Sequence, residues 1–147
     1  MTRLSSALMI CALTLTPALA QQSTSPGPAA APATLALELN ALQASDKGCR
    51  VSFLATNDLP APLDRAAVEV AFFTTDGAID RIVTLDFKAL TPGKTKVLQF
   101  ELGNLPCDQI GRLLINDITA CEGADIAPTA CLDGLVTTSR PDIIFGI

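Results

Sequence analysis

RAAVEVAFFTTDGAIDRIVTLDF, residues 65–87, is the stretch from which the fold is read. Val68, Val70 and Phe72 alternate with Glu69, Ala71 and Phe73, the period-two pattern of a strand. Thr75-Asp76-Gly77 interrupts the run, and Asp-Gly offers the positive-φ positions of a tight hairpin turn. Ile79, Ile82, Val83, Leu85 and Phe87 form the returning strand.

The flanks extend the same theme. Upstream, residues 49–57 (CRVSFLATN) place Cys49, Val51, Phe53 and Ala55 on one face of a strand, after a turn at 45–48. Residues 34–44 (TLALELNALQA) read two ways: a strand with Leu35, Leu37 and Leu39 on one face, or a short helix with Leu35, Leu39 and Leu42 on one side. The strand is preferred because its neighbours are strands. Residues 58–62 (DLPAP) are a loop, since their prolines do not fit a central strand. Downstream, Thr91-Pro92-Gly93-Lys94 makes a turn, and Lys96, Leu98, Phe100 and Leu102 alternate along the next strand. Residues 109–120 follow, with Leu113 and Ile115 expected in the core and Arg112 and Asn116 opposite. A loop at 122–130 leads to a strand at 132–139, and 143–145 is a short apolar end piece. About seven strands with turns between them predict an all-β chain, an Ig-like antiparallel β-sandwich. No helix-length crossover lies between strands, which argues against a parallel sheet.

The amino terminus reads as an export signal. Arg3 precedes an apolar run too short to span a bilayer, and Ala18-Leu19-Ala20 is a small-x-small cleavage site. A twin-arginine signal needs two adjacent arginines, and Arg3 stands alone. Ile10 before Cys11 is too large for a lipobox. The expected organisation is a signal peptide at 1–20, a Pro-, Ala- and Ser-rich tether at 21–33, and one domain at 34–147. The expected location is the periplasm or beyond, with no stable membrane insertion after cleavage.

Beyond the signal, nine Lys and Arg face fifteen Asp and Glu, a net charge of −6. Acidic chains repel phosphate backbones, so nucleic acid is not an expected partner. Histidine, tryptophan and tyrosine are absent. Without an imidazole there is no Ser-His or Cys-His pair, and no G-x-S-x-G motif is present. No catalytic residue, metal or cofactor is expected.

Four cysteines remain beyond the signal: Cys49, Cys107, Cys121 and Cys131. In an exported chain an even number implies disulfides, and four allow three pairings. Cys107 and Cys121 flank one strand and would lie roughly 40 Å apart if it is extended. Alternation of strands up and down puts Cys49 and Cys107 at one end and Cys121 and Cys131 at the other. The expected bridges are therefore Cys49–Cys107 and Cys121–Cys131. No C-x-x-C or four-thiolate zinc spacing competes with this reading.

The segments CRVSFLATN (49–57), VEVAFFTTDGAI (68–79) and LTPGKTKVLQFEL (90–102) resemble the small Ig-like or fibronectin-like modules of exported bacterial proteins, and are similar to the CARDB and FxLYD groups of domains. The whole chain also looks like a group of short exported bacterial proteins sometimes labelled as Tat signal proteins, a label the lone Arg3 does not support. The resemblance implies the sandwich fold and transfers no catalytic site.

Two acidic groupings and one polar pair are candidate sites. Glu122, Asp125 and Asp133 sit near the last cysteine loop and suggest calcium, against the plainer reading of solvated carboxylates. Asp76, Asp80 and Asp86 surround the hairpin and suggest acid–base work, against turn chemistry and surface charge. Asn116-Asp117 interrupts an apolar strand and marks a bulge or a satisfied inner hydrogen bond. The terminal residues 142–147 suggest either pairing with a partner's sheet edge or, more simply, pairing with the chain's own sheet. The function expected from all this is a non-catalytic binding or accessory module for another envelope protein. The alternatives are a structural subunit assembled by edge-strand pairing and a carboxylate- or metal-dependent hydrolase.

Overall fold

The computed structural model describes residues 31–147. The expected signal peptide, 1–20, and positions 21–30 of the expected tether lie outside the described residues. The strands are β1 (Leu35–Ser45), β2 (Gly48–Asn57), β3 (Leu63–Thr74), β4 (Ile79–Leu90), β5 (Thr95–Gly103), β6 (Ile110–Glu122), β7 (Leu135–Ser139) and β8 (Ile144–Gly146), with a short helix α1 (Ala130–Asp133) before β7. They build a sandwich of two four-stranded sheets. Sheet A has the order β5-β2-β1-β7, and sheet B the order β4-β3-β6-β8.

The inner faces follow the period-two pattern. Leu35, Leu37 and Leu39 of β1 are buried, as are Val51, Phe53 and Ala55 of β2 and Val68, Val70 and Phe72 of β3. Pairing with β2 on one side and β7 on the other makes residues 35–45 a strand, not a helix, because a helix would leave both neighbours unpaired. Phe53 is the hub of the core. Its ring meets Phe87, Phe100 and Phe145 edge-on, with centroids 6.0, 6.0 and 5.4 Å away.

Two features differ from the purely antiparallel seven-strand expectation. The end piece forms an eighth strand, and β7 and β8 pair in parallel with β1 and β6. Local turns cannot make a parallel pair, but a passage from one sheet to the other can. Residues 123–134 carry the chain from sheet B to sheet A, and residues 140–143 carry it back. The strand expected at 132–139 begins only at Leu135, because Leu132 belongs to α1. Gly134 separates the two elements, packed so closely on the Ala33 and Ala130 carbonyls that a Cβ has little room there.

The β3–β4 turn also has its own form. Gly77 adopts a positive φ of 87°, while Asp76 stays in ordinary backbone space. Gly77 N–H donates to the Thr74 carbonyl at 2.9 Å, and Thr74 N–H to the Ala78 carbonyl at 2.8 Å, closing a three-residue loop with glycine in the left-handed position. Opposite β3, strand β6 carries an extra residue at Gly111, at Asn116 and at Thr119. The slip at Asn116 is a bulge, one of the two readings given to that polar pair, and Asn116 points outward.

One buried polar side chain ties the sheets at the end away from this turn. Asn57, 0% exposed, donates through Nδ2 to the Ala61 carbonyl (3.1 Å) and to the Leu90 carbonyl of β4 (2.9 Å). Its Oδ1 accepts the Leu59 N–H at 3.0 Å. Each of its polar atoms is thereby satisfied, as burial requires.

Candidate interaction face

Residues paired across neighbouring strands point to the same side of a sheet. On the outer side of sheet B, the register therefore lays out rows that cross all four strands. The row nearest the β3–β4 turn is Ile79 (β4), Phe73 (β3), Arg112 (β6) and Ile144 (β8). Beside it runs Ile82, Ala71, Leu114 and Gly146. Ile79, Ile82 and Ile144 are 58%, 50% and 71% exposed. Phe73 is only 8% exposed although it lies outside the core cluster. Arg112 covers it, with the guanidinium carbon 4.0 Å from the ring centroid.

The other half of the same face is charged and closed on itself. Asn116 Nδ2 donates to Glu69 Oε1 at 2.6 Å. Arg65 lies 3.2 Å from Asp86 and 3.6 Å from Glu122, and Lys88 Nζ lies 2.8 Å from Asp86. Lys88 stands in the left-handed region at φ 61°, and its N–H is held by Asp86 Oδ1 at 2.9 Å.

Glu122 faces Arg65, and Asp125 and Asp133 are exposed; no group of three or more His, Cys, Asp or Glu placed to hold a metal occurs among the described residues. Asp80 is taken by Arg81. Thr74 and the Ala78 N–H hold the Asp76 carboxyl below its ordinary pKa. The Lys88 side chain, with the Lys88 N–H and Arg65 behind it, lowers Asp86 to about 2. Both shifts keep the carboxylates ionised, the opposite of what a general acid needs at neutral pH. Three surface hollows are each lined by a single carboxylate, Asp108, Glu38 or Asp76, so none holds an acid pair.

The cysteines form two bridges, Cys49–Cys107 with Cα atoms 4.9 Å apart and Cys121–Cys131 with Cα atoms 5.9 Å apart. The first ties β2 to the turn that leads into β6, and the second ties the end of β6 to α1. The terminal piece pairs with residues 112–114 of β6, and Phe145 is buried in the core.

Sheet edges are guarded. Lys96 of β5 donates to the Phe87 and Ala89 carbonyls of β4, at 3.1 and 3.3 Å. Arg81 of β4 answers by donating to the Gly103 carbonyl of β5 at 2.7 Å. Beyond β8, the uncovered side of β6 bears the bulges at Asn116 and Thr119, and Asp117 Oδ1 accepts the Ile118 N–H at 2.8 Å. Short edge strands, bulges and charges of this kind block further strand pairing.

The exposed rows were missed in the sequence. Part of a signal was present: residues 71–73 (AFF) are apolar on both faces of β3, and Ile82 lies out of phase with Leu85 and Phe87, whereas Ile79 shares their phase and is turned outward by the register slip at Asp80. No helix among the described residues is long and apolar enough to cross a membrane. Compared with known proteins, the chain matches no family model, no curated protein and no solved structure.

Proposed function

We propose that this chain is an exported, non-catalytic interaction module that binds another protein of the cell envelope through the apolar half of the outer face of sheet B. The observation that supports it most is the pair of rows Ile79–Phe73–Arg112–Ile144 and Ile82–Ala71–Leu114–Gly146. Exposed isoleucines scattered singly need no explanation, but Ile79 and Ile82 on β4 and Ile144 on β8 flank Phe73, Arg112 and Leu114 on one face, a grouping that supports a contact surface. Two disulfides fit an oxidising compartment, and the signal-like residues 1–20 supply the route there. The resemblance of residues 49–102 to CARDB and FxLYD modules points the same way. The guarded edges weigh against assembly by strand exchange, and the lowered pKa values of Asp76 and Asp86 weigh against a hydrolase.

Site-specific photocrosslinking in intact cells tests the reading. A crosslinker at position 82 or 144 is expected to trap one recurrent envelope protein, while the same group at position 56 or 99 on sheet A traps none. Equal yields from the two faces, or no adduct from a well-expressed oxidised protein, overturn it.

A further inference from the structure

Arg112 is set apart from most of its kind in this chain. Arg50, Arg65 and Arg81 each have a carboxylate within 4.0 Å. Among the described residues Arg112 forms no such ion pair, although the chain carries fifteen Asp and Glu. Three acids of the same sheet are engaged with other groups: Asp80 with Arg81, Glu69 with Asn116, and Asp117 with the Ile118 N–H. The guanidinium instead lies over the Phe73 ring, in a row closed by Ile79 on one flank and Ile144 on the other. Its planar fork of donors is free for a bidentate acceptor.

A partner that covers this surface takes Arg112 out of water. An apolar partner without an acid would leave a buried, unpaired charge, which costs several kcal/mol. A partner that places a carboxylate there gains a charge-assisted, two-pronged hydrogen bond beside the Phe73 ring. We infer that the face selects a polypeptide segment carrying an Asp or Glu between branched or aromatic apolar side chains. Four strands at about 4.8 Å spacing put Ile144 and Ile79 roughly 14 Å apart. A five-residue extended segment spans that distance at about 3.3 Å per residue, with its first, third and fifth side chains over Ile144, over Arg112 and Phe73, and over Ile79. The inference rests on the docking face proposed above and adds the chemistry of what docks there.

The test is selection from a displayed library of random dodecapeptides against the oxidised protein. The same selection is run on Arg112→Glu, Arg112→Lys and the double variant Ile82→Asp/Ile144→Asp, each confirmed folded by circular dichroism and monomeric by gel filtration. The wild type is expected to enrich peptides with an acid flanked by apolar residues. These should bind Arg112→Glu about 30-fold or more weakly, the cost of losing one partner of a covered charge pair. Arg112→Lys keeps the charge, loses the fork, and is expected to fall between. Arg112→Glu itself should enrich peptides with Lys or Arg in the acid's place. Enriched peptides that lack an acid, or that bind Arg112→Glu unchanged, overturn the carboxylate inference; if Ile82→Asp/Ile144→Asp still abolishes their binding, the docking face itself stands. Binding insensitive to every variant, or no enrichment at all, overturns both. A wild-type dimer dissolved by Ile82→Asp/Ile144→Asp makes a second copy the occupant and also overturns the carboxylate inference.

Discussion

Polar rows close on themselves over most of the outer face of sheet A, with the exposed Val97 beside Leu54 between them and Val136 on β7. Thr56 and Thr95 share a hydrogen bond at 2.7 Å, Gln99 donates to Ser52 at 3.0 Å, and Arg50 pairs with Glu101 at 3.3 Å. Ser45 adds a further bond to Glu101. The outer face of sheet B does the same only over the half that holds Glu69, Asp86 and Arg65. Its other half sets isoleucines around a single stacked arginine. Both sheets have the same inward alternation, so the core does not explain the difference. A face whose polar side chains already pair with each other offers a partner little, whereas exposed branched apolar groups beside an unpaired cation offer area and a charge to match.

Four sets of variants break or sharpen that contrast. The largest effect is expected from Cys49→Ala with Cys107→Ala, since this bridge joins sheet A to the entry of sheet B and closes a loop of 58 residues. The chain-entropy model gives a loss of about 4 kcal/mol, measured by urea unfolding. The shorter Cys121–Cys131 loop, with a separation of 10, gives about 3 kcal/mol. A loss under about 1 kcal/mol at Cys49–Cys107 would mean the sandwich holds its two faces in place without the bridge.

Asn57→Ala comes next. It strands the Leu59 N–H and removes the donor shared by the Ala61 and Leu90 carbonyls, the polar lock between β2 and β4. Leaving such buried groups without partners is expected to cost about 2–4 kcal/mol in the same assay. An unchanged midpoint would show that water replaces the amide.

The third compares outer faces directly. Phe73→Ala should cost about 2 kcal/mol, less than an inner phenylalanine because one side of the ring is covered only by Arg112. Gln99→Ala on sheet A should stay within about 0.5 kcal/mol. Equal costs would erase the distinction between the faces.

The smallest effect is in the charged half. Asp86 is lowered to about 2 from an ordinary 3.8, so its contribution is complete above about pH 4 and is lost as the pH falls through about 2. Asp86→Asn is expected to cost about 1 kcal/mol or less at neutral pH and to flatten the acid-unfolding slope between about pH 4 and pH 2. An unaltered slope would place the acid sensitivity elsewhere.

Much of this architecture was legible residue by residue. Period two placed Leu35, Val51, Phe53, Val70, Phe72, Leu113 and Ile115 inward, where they are buried. It did so because a strand fixes the side of every other residue regardless of what surrounds it. The polar pair at Asn116-Asp117 was legible as a bulge because two outward residues in an apolar run break that period. The parallel seats of β7 and β8 were not legible, since a passage between sheets leaves no turn signature. Asn57 read only as the end of a strand, for its three partners come from the loop after it and from β4.

By itself, the order of residues determined most of the strands, their inward faces and which cysteines lie at the same end, because each depends on local period and on counting reversals of the chain. Tertiary structure alone decided the rest. It set Ile79, Phe73, Arg112 and Ile144, spread over residues 73–144, into one row, and it placed the Arg112 guanidinium over an aromatic ring. Cross-strand register arises from the whole sheet, so no window of sequence contains it.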